Sequence, residues 1–333
     1  MNELTEVRHR AVRNYVQEFG SVSKTSLARL LVAEHPLLFD DVEKTRNLIK
    51  YITGNAGHSN RDKIKDKTNL KETKIKNMYG LCEENHNDFT PYTLPKSSKK
   101  IGVIADIHIP YQDNQAVTLA LDYFKDKEVD TIVINGDLID FYGISRFIRD
   151  PGQRNLHFEI DAARAFLKAL RDEFPKALIV YKTGNHEDRW KHFLMLKAPE
   201  VFSMAEFRLD IILKMPELGI IFVDDKKMIK AGKLNIIHGH EYSGAYSPVN
   251  PAKAYHSRAM TNVIAGHNHQ SSEHISKDAN DEITGGWSLG CLCELHPLYM
   301  PLNKWVHGFA TVDIESSGRF RVINKMIING EIV

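Results

Sequence analysis

The sequence predicts an α/β fold in which two sheets form a sandwich flanked by helices, preceded by a small all-α unit. Three patterns carry this reading. From Lys100 to Tyr181, short β-branched runs alternate with amphipathic helical segments. Further along, strand-like runs succeed one another with few helices between them. The first 60 residues show helical spacing alone.

The N-terminal unit spans residues 1–60. Leu4, Val7, Ala11, Val12, Tyr15 and Val16 recur at helical spacing, and Gly20 is suited to end that helix. Ser23 caps a second helix, KTSLARLLVAE, which stops before Pro36. Asp40 or Asp41 caps a third, VEKTRNLIKYIT, which stops at Gly54. Three short helices joined by tight turns suggest a helix-turn-helix-like module whose third helix offers Lys44, Arg46 and Lys50 to nucleic acid. The plainer alternative is a solvated face on a unit used for docking or oligomerisation. Residues 61–98 are polar, Lys-rich and poor in large apolar residues, and read as a basic linker.

Residues 99–333 carry the sandwich. IGVIA (101–105), TIVIN (131–135) and ALIVY (177–181) read as buried strands, with NQAVTLALDYFKDK and EIDAARAFLKALRDEF as the helices between them. GIIFV, KMIKA, LNIIH, TNVIA, GWSLGCLC, GFATVDI and RFRVINKMII read as further strands, and ESSG (315–318) as a hairpin turn.

Composition narrows the function. The chain has 333 residues, 42% hydrophobic and 26% charged, as in soluble globular proteins. A formal net charge of +1 gives it no overall bias toward nucleic acid or an anionic membrane, so any basic surface is local. Its three cysteines, Cys82, Cys291 and Cys293, do not make a disulfide framework, which points to a reducing compartment. The CxC pair is read as strand alternation with both sulfurs on one face, with a soft-metal pair as the alternative. The charged start, MNELTEVRHRAVRNY, lacks the apolar region of a signal peptide, and no apolar run approaches the roughly 18 residues of a membrane span. The expectation is a soluble, cytoplasmic protein with no membrane partner.

The strongest signal lies at the strand ends. After IGVIA come Asp106 and His108; after TIVIN, Gly136, Asp137 and Asp140; after ALIVY, Gly184, Asn185, His186 and Glu187. LNII leads into His238 and His240, and TNVIA into His267 and His269. Each fragment alone is weak, but five strand ends delivering His, Asp or Asn are a site, since ligands bind outside the carboxyl ends of α/β strands. Neutral imidazoles with carboxylates suit borderline divalent metals such as Mn, Fe and Zn, and the scarcity of thiolate disfavours a structural zinc. Seven candidate ligands are too many for one ion and suit two that share a carboxylate, an arrangement that activates water and clamps a phosphoryl group.

The order DxH, GDxxD, GNHE, H, GHxH resembles that of the calcineurin-like metallophosphoesterase superfamily over roughly residues 100–330. The resemblance implies a four-layer αββα sandwich. It implies that Asp106, His108 and His269 hold one metal, that Asn185, His238 and His267 hold the other, and that Asp137 bridges them. It implies that His186 is the general acid for the leaving oxygen, or a stabiliser of the transition state, with Asp140 paired to it. Gly184 is then the turn that aims Asn185 and His186. His240 competes with His238 for the fourth motif and is otherwise a substrate contact. Arg189 and Arg258 are candidates for phosphate oxygens, although surface ion pairs account for them equally well. Glu187 and Asp188 read as acidic residues at a helix start. The ions are expected to be two divalent cations, manganese first, with iron or zinc as alternatives.

The sequence departs from the Ser/Thr protein phosphatases of that superfamily, since Phe141 stands where they carry a phosphate-binding arginine and Thr183 precedes Gly184. The core is similar to bacterial and phage-type members. The leading expectation is a phosphodiesterase or nuclease acting on DNA or RNA. The alternatives are a small-molecule or protein phosphatase whose N-terminal unit forms homo-oligomers, and a non-catalytic metal-bearing module. Loops 141–158 and 241–260, with Tyr142, Arg146, Arg154, Tyr242, Tyr246 and Tyr255, are placed to choose the substrate by stacking on bases, or to pack on the core.

Overall fold

The computed structural model describes residues 3–19, 22–53, 87–146, 155–242 and 249–333. The expected stops at Gly20 and Gly54, most of the linker, and Cys82, Arg154 and Tyr246 lie outside the described residues. The chain divides into two units, Met1–Asn87 and Asp88–Val333.

The first unit holds helices α1 (Glu3–Glu18), α2 (Lys24–Glu34) and α3 (Val42–Ile52). Ser23 caps α2 by accepting from the Ser26 N–H at 3.1 Å, and Asp41, rather than Asp40, caps α3 by accepting from Lys44 N–H at 2.7 Å. Val12, Leu31 and Ile49, one from each helix, meet in a shared core with Phe19, Leu27 and Phe39. The α2–α3 connection runs from residue 35 to 41, seven residues, against the roughly three- to four-residue turn of a helix-turn-helix.

The second unit begins with β1 (Tyr92–Thr93), β2 (Lys100–Ile104), α4 (Asn114–Asp126), β3 (Thr131–Asn135), α5 (Leu156–Glu173), β4 (Leu178–Lys182), α6 (Glu187–Lys197), α7 (Leu209–Ile212) and β5 (Ile220–Val223). It continues with β6 (Ile229–Ala231), β7 (Leu234–Ile237), α8 (Pro251–Ala259), β8 (Val263–Ala265), β9 (Ser272–Lys277), β10 (Ile283–Ser288), β11 (His307–Ile314), β12 (Phe320–Ile328) and β13 (Glu331–Ile332). One sheet has the order β13-β12-β11-β2-β3-β4-β5 and the other β1-β6-β7-β8-β10-β9.

Alternation along the strands explains why the sheets stack. In β2 to β4, Val103, Val133 and Val180 face the second sheet, where Ile229, Leu234, Ile236 and Ile264 meet them. Their neighbours Ile104, Ile134 and Tyr181 face the other way, toward Phe124 of α4, Leu167 of α5 and Trp190 of α6. Both faces are buried, so each strand reads as an unbroken apolar run. A further cluster, Ile237, Tyr255, Val263 and Ala265, seats α8 on the outer face of the second sheet. The result is helices, sheet, sheet, helix: the four layers expected.

Several elements differ from expectation. Strand β1, in the stretch read as linker, pairs in parallel with β6 at the edge of the second sheet. The strand read as GWSLGCLC ends at Ser288, and Cys291 and Cys293 beyond it make isolated bridges to His307 and Gln112. Strand β9 has no counterpart in the sequence pattern, because SEHISK is largely exposed at the sheet edge and has no apolar face to show. Among the described residues no helix is long and apolar enough to cross a membrane.

Candidate metal centre

Strands β2, β3 and β4 run parallel, as do β7 and β8, so the five motifs leave carboxyl ends of parallel strands in two stacked sheets. The first two motif loops stay paired beyond their strands: the Ile107 and His108 N–H groups both donate to the Asp137 carbonyl at 2.9 Å. Five candidate ligands, Asp106, His108, Asp137, His267 and His269, take left-handed backbone with φ between 52 and 70°. Such conformations cost an L-residue about 1–2 kcal/mol each and cluster where side chains must be aimed.

Gly136 is left-handed too, with φ of 85°. Gly184 is not left-handed, and its need for glycine is space. A Cβ there would collide with Asp137 Oδ1 and lie 2.9 Å from His238 Nε2.

The side chains converge in two groups that meet at Asp137. In the first, His108 Nε2 lies 3.2 Å from His269 Nε2, and His269 Nε2 lies 3.3 Å from Asp106 Oδ1. In the second, His238 Nε2 lies 3.2 Å from Asn185 Oδ1 and 3.3 Å from Asp137 Oδ2, with a His267 ring nitrogen close by. Asp137 Oδ2 is also 3.9 Å from His108 Nε2 and 3.8 Å from His186 Nε2. It is His238, not His240, whose Nε2 enters the cluster; His240 Nε2 turns to Asp188 Oδ2 at 3.3 Å.

The donor set fits divalent cations. Asp106 Oδ1 is buried without a hydrogen-bond partner, and imidazole nitrogens aim at one another with no hydrogen to spare for every lone pair. Burial would raise Asp137, but the positive charges of His238 and His186 hold it well below the usual carboxylate range. Burial would lower His238 and His269, but Asp137 and Asp106 respectively push each up to about 10. His267 falls to about 4, through burial and then the charge on His238. Positive charge is what these buried carboxylates require, and protons on imidazoles supply it wherever a metal does not.

His186 sits at the edge of the group. Its Nδ1 lies 2.8 Å from the Asp140 carbonyl and 3.1 Å from Asp140 Oδ1, while Arg189 Nη2 donates to its Nε2 at 3.0 Å. Asp140 has a second duty: the same oxygen is 3.1 Å from His108 Nδ1. Arg189 also donates to the Asp140 carbonyl at 2.7 Å, so this arginine belongs to the site. Arg258 is exposed near the end of α8, beside Tyr242 and Tyr255, and shows no contact with the cluster among the described residues. Lys44, Arg46 and Lys50 lie on α3 of the first unit, where exposed Asp40 and Glu43 pair with Lys44 and Arg46. Tyr255 is on the buried face of α8, packed against Ile237, Val263 and Ala265, rather than offered to substrate.

Glu187 does more than a helix-start acid would. Its buried carboxylate accepts from Asp137 N–H at 2.9 Å, Leu138 N–H at 2.9 Å, Gly184 N–H at 2.7 Å and the Tyr181 hydroxyl at 2.7 Å. It ties the second motif loop to the third. Glu187→Gln replaces one acceptor oxygen by an NH2 facing donors, and is expected to cost about 3 kcal/mol and weaken metal retention. Urea unfolding with elemental analysis checks this; a wild-type midpoint would remove Glu187 from the framework.

Two other supports have no signature in the sequence. Glu241 accepts from the His238 N–H at 3.0 Å and pairs with fully buried Lys182 at 2.7 Å, fixing the fourth motif turn. Cys293 Sγ lies 3.9 Å from His269 Nδ1, so a thiol backs this imidazole where a carboxylate or carbonyl is usual. The expected strand alternation of the CxC pair gives way to this contact because the chain leaves β10 before the cysteines. The GNHE and HGHE patterns hold Glu187 and Glu241 in view, but nothing local marks a carboxylate as buried.

A family model described as calcineurin-like phosphoesterase matches residues 99–287, more than half of the chain. The chain is 26% identical to the Gene 54 protein of Mycobacterium phage L5 over 231 residues, covering 66% of this chain and 90% of that protein. It is 28% identical to the Gene 54 protein of Mycobacterium phage D29 over 180 residues, covering 52% and 70%. Its structure is similar to Vacuolar Protein Sorting 29 from Cryptosporidium parvum, at 12% identity and TM-score 0.39, covering 71% of this chain and 94% of that one. It is also similar to Yfce, a phosphoesterase from E. coli, at 14% identity and TM-score 0.30, covering 67% and 98%.

Proposed function

The chain belongs to the calcineurin-like phosphoesterase family, a metal-dependent group of ester-bond hydrolases, and from that premise we propose that it cleaves phosphodiesters of nucleic acid. One observation favours a diester over a monoester. Phe141 is fully buried, stacked on Trp190, and brings no cation to the phosphate, which leaves the guanidinium of Arg189 beside His186. A diester carries one negative charge where a monoester approaches two, so it asks less of the protein's own cations.

On this reading Asp106, His108 and His269 hold one divalent ion, Asn185, His238 and His267 the other, and Asp137 both. The donor chemistry, imidazole and carboxylate, suits manganese, with iron or zinc as alternatives. Bound ions supply a water nucleophile at neutral pH and neutralise charge on the phosphoryl oxygens. The protein's residues do the rest. Arg189 swings from His186 Nε2 to a non-bridging oxygen, which frees that nitrogen. Asp140 holds His186 Nδ1, so the freed Nε2 takes up a proton from solvent, faces the leaving oxygen and gives that proton to it as the ester bond breaks.

The N-terminal unit contributes nucleic-acid contacts through Lys44, Arg46 and Lys50 of α3. The Lys44–Asp40 pair is exposed and the Arg46–Glu43 pair half-buried; both are single surface pairs of the weak kind, exchangeable for phosphates.

Hydrolysis of bis(p-nitrophenyl) phosphate against p-nitrophenyl phosphate, with manganese added to the full chain, tests the reading. The expected preference for the diester is about tenfold or more in kcat/KM, or about 1.4 kcal/mol at the transition state. Preference for the monoester would overturn it and leave the N-terminal unit to assembly.

A further inference from the structure

The segment from Glu294 to Val306, between β10 and β11, passes the edge of the cluster and is ordered by its own bonds. Asn303 Nδ2 donates to the Leu295 carbonyl at 2.6 Å and the Met300 carbonyl at 2.8 Å, and its Oδ1 accepts from Trp305 N–H at 2.8 Å. Val306 N–H donates to the His269 carbonyl at 2.9 Å, pinning the segment to a motif loop. The Trp305 ring packs edge-on against His269 at 4.1 Å, and Tyr299 lies 6.2 Å from Trp305.

Tyr299 is 71% exposed and within electrostatic reach of Asp140 and Arg189. Leu298 and Leu302, at 94% and 95% exposure, extend the apolar surface outward. A second aromatic pair, Tyr111 and Tyr142 at 6.2 Å, also borders Asp140. Its Tyr142 is held by Glu159, which accepts from the Tyr142 N–H at 3.1 Å. None of these aromatic side chains is needed to hold a metal.

We propose that Tyr299 and Trp305, fixed by Asn303 at the edge of the cluster, form a stacking platform for the nucleobase joined to the scissile phosphate. The inference rests on the diester reading above and deepens it. An exposed ring beside a phosphoryl-handling cluster suits a substrate whose flat, apolar part is linked directly to the phosphate. Stacking of this kind accepts any base, since every base has a π-face, and it favours single strands whose bases are free. Asn303 is a positioning residue that acts through the loop.

The experiment compares the full chain, manganese-loaded, on a short single-stranded oligonucleotide and on diethyl phosphate, a diester with neither a base nor an aryl ring. For Tyr299→Ala the ratio of kcat/KM between the two substrates is expected to fall by about 5- to 150-fold, mostly through KM, the range that loss of one stacked base gives. Tyr299→Phe is expected to keep the ratio. A purely structural role for Tyr299 would depress both substrates equally and leave the ratio unchanged, which overturns the platform while the nucleic-acid reading stands. Cleavage of the base-free diester with none of the oligonucleotide by the wild type overturns both. A platform serving an aryl monoester such as a phosphotyrosine peptide would show as faster turnover of that peptide, and also overturns the proposal.

Discussion

Asp137→Asn is expected to remain folded, to lose most of its bound metal and to fall by roughly 10³-fold in turnover, the scale on which loss of charge stabilisation at a reacting phosphate is felt. The reason is position. Asp137 Oδ2 is 3.3 Å from His238 Nε2 and 3.9 Å from His108 Nε2, one in each half of the cluster, whereas Asn185 has its contact in one half alone. Asparagine keeps the Oδ1 that accepts from the His186 N–H at 2.9 Å, so the third motif turn keeps its anchor and the fold survives. What is removed is one buried negative charge, on which both sets of histidines depend. Elemental analysis should show both ions depleted, while Asn185→Ala depletes one. Near-wild-type metal content and turnover in Asp137→Asn would end its role as the shared ligand.

That a cluster of this kind is legible in the sequence at all has a physical cause. Strands such as TIVIN are buried on both faces, so their ends are sharply marked, and any polar residue immediately beyond them stands out. Asp106, Asp137, Asn185, His238 and His267 all lie within a few residues of a strand end, and the fold brings those ends together because the strands are parallel. The supporting residues obey no such local rule. Glu187 looks like a helix-start acid until the loops it clasps are seen in space. Cys293 backs His269 only because the chain leaves the sheet at Ser288, and Trp305 reaches the same imidazole from a loop that comes after two further strands.

Gly184 makes the same point from the other side. Its position after a strand suggests a turn, and the turn is there, but the demand for glycine comes from Asp137 and His238, carried in by two other strands. Tyr255 falls in a segment that the sequence reads as a substrate-choosing loop, and is instead core on the buried face of α8. Exposure of an aromatic is decided by what folds over it, which neither periodicity nor spacing records.

His186→Ala is expected to keep its metal and to lose turnover in a way that depends on the leaving group. With an alkoxide such as a nucleotide 3′- or 5′-oxygen, the loss should be about 10²- to 10⁴-fold, the usual range for a positioned acid. With p-nitrophenolate, which leaves without help, it should be much smaller. The pH dependence carries its own sign. Burial pulls the His186 pKa down, but Asp137, together with the Asp140 hydrogen bond, outweighs it, so the net shift is upward. The acid form therefore persists above its ordinary range, and its contribution to rate is present at lower pH and lost as pH rises through the raised value. Arg189 opposes this from 3.0 Å, its charge favouring neutral imidazole, so Arg189→Gln should move that alkaline limb to higher pH. In His186→Ala the limb should vanish for the alkoxide substrate. An equal loss for both leaving groups, with the limb retained, would mean that His186 steadies Asp140 and Arg189 rather than delivering the proton.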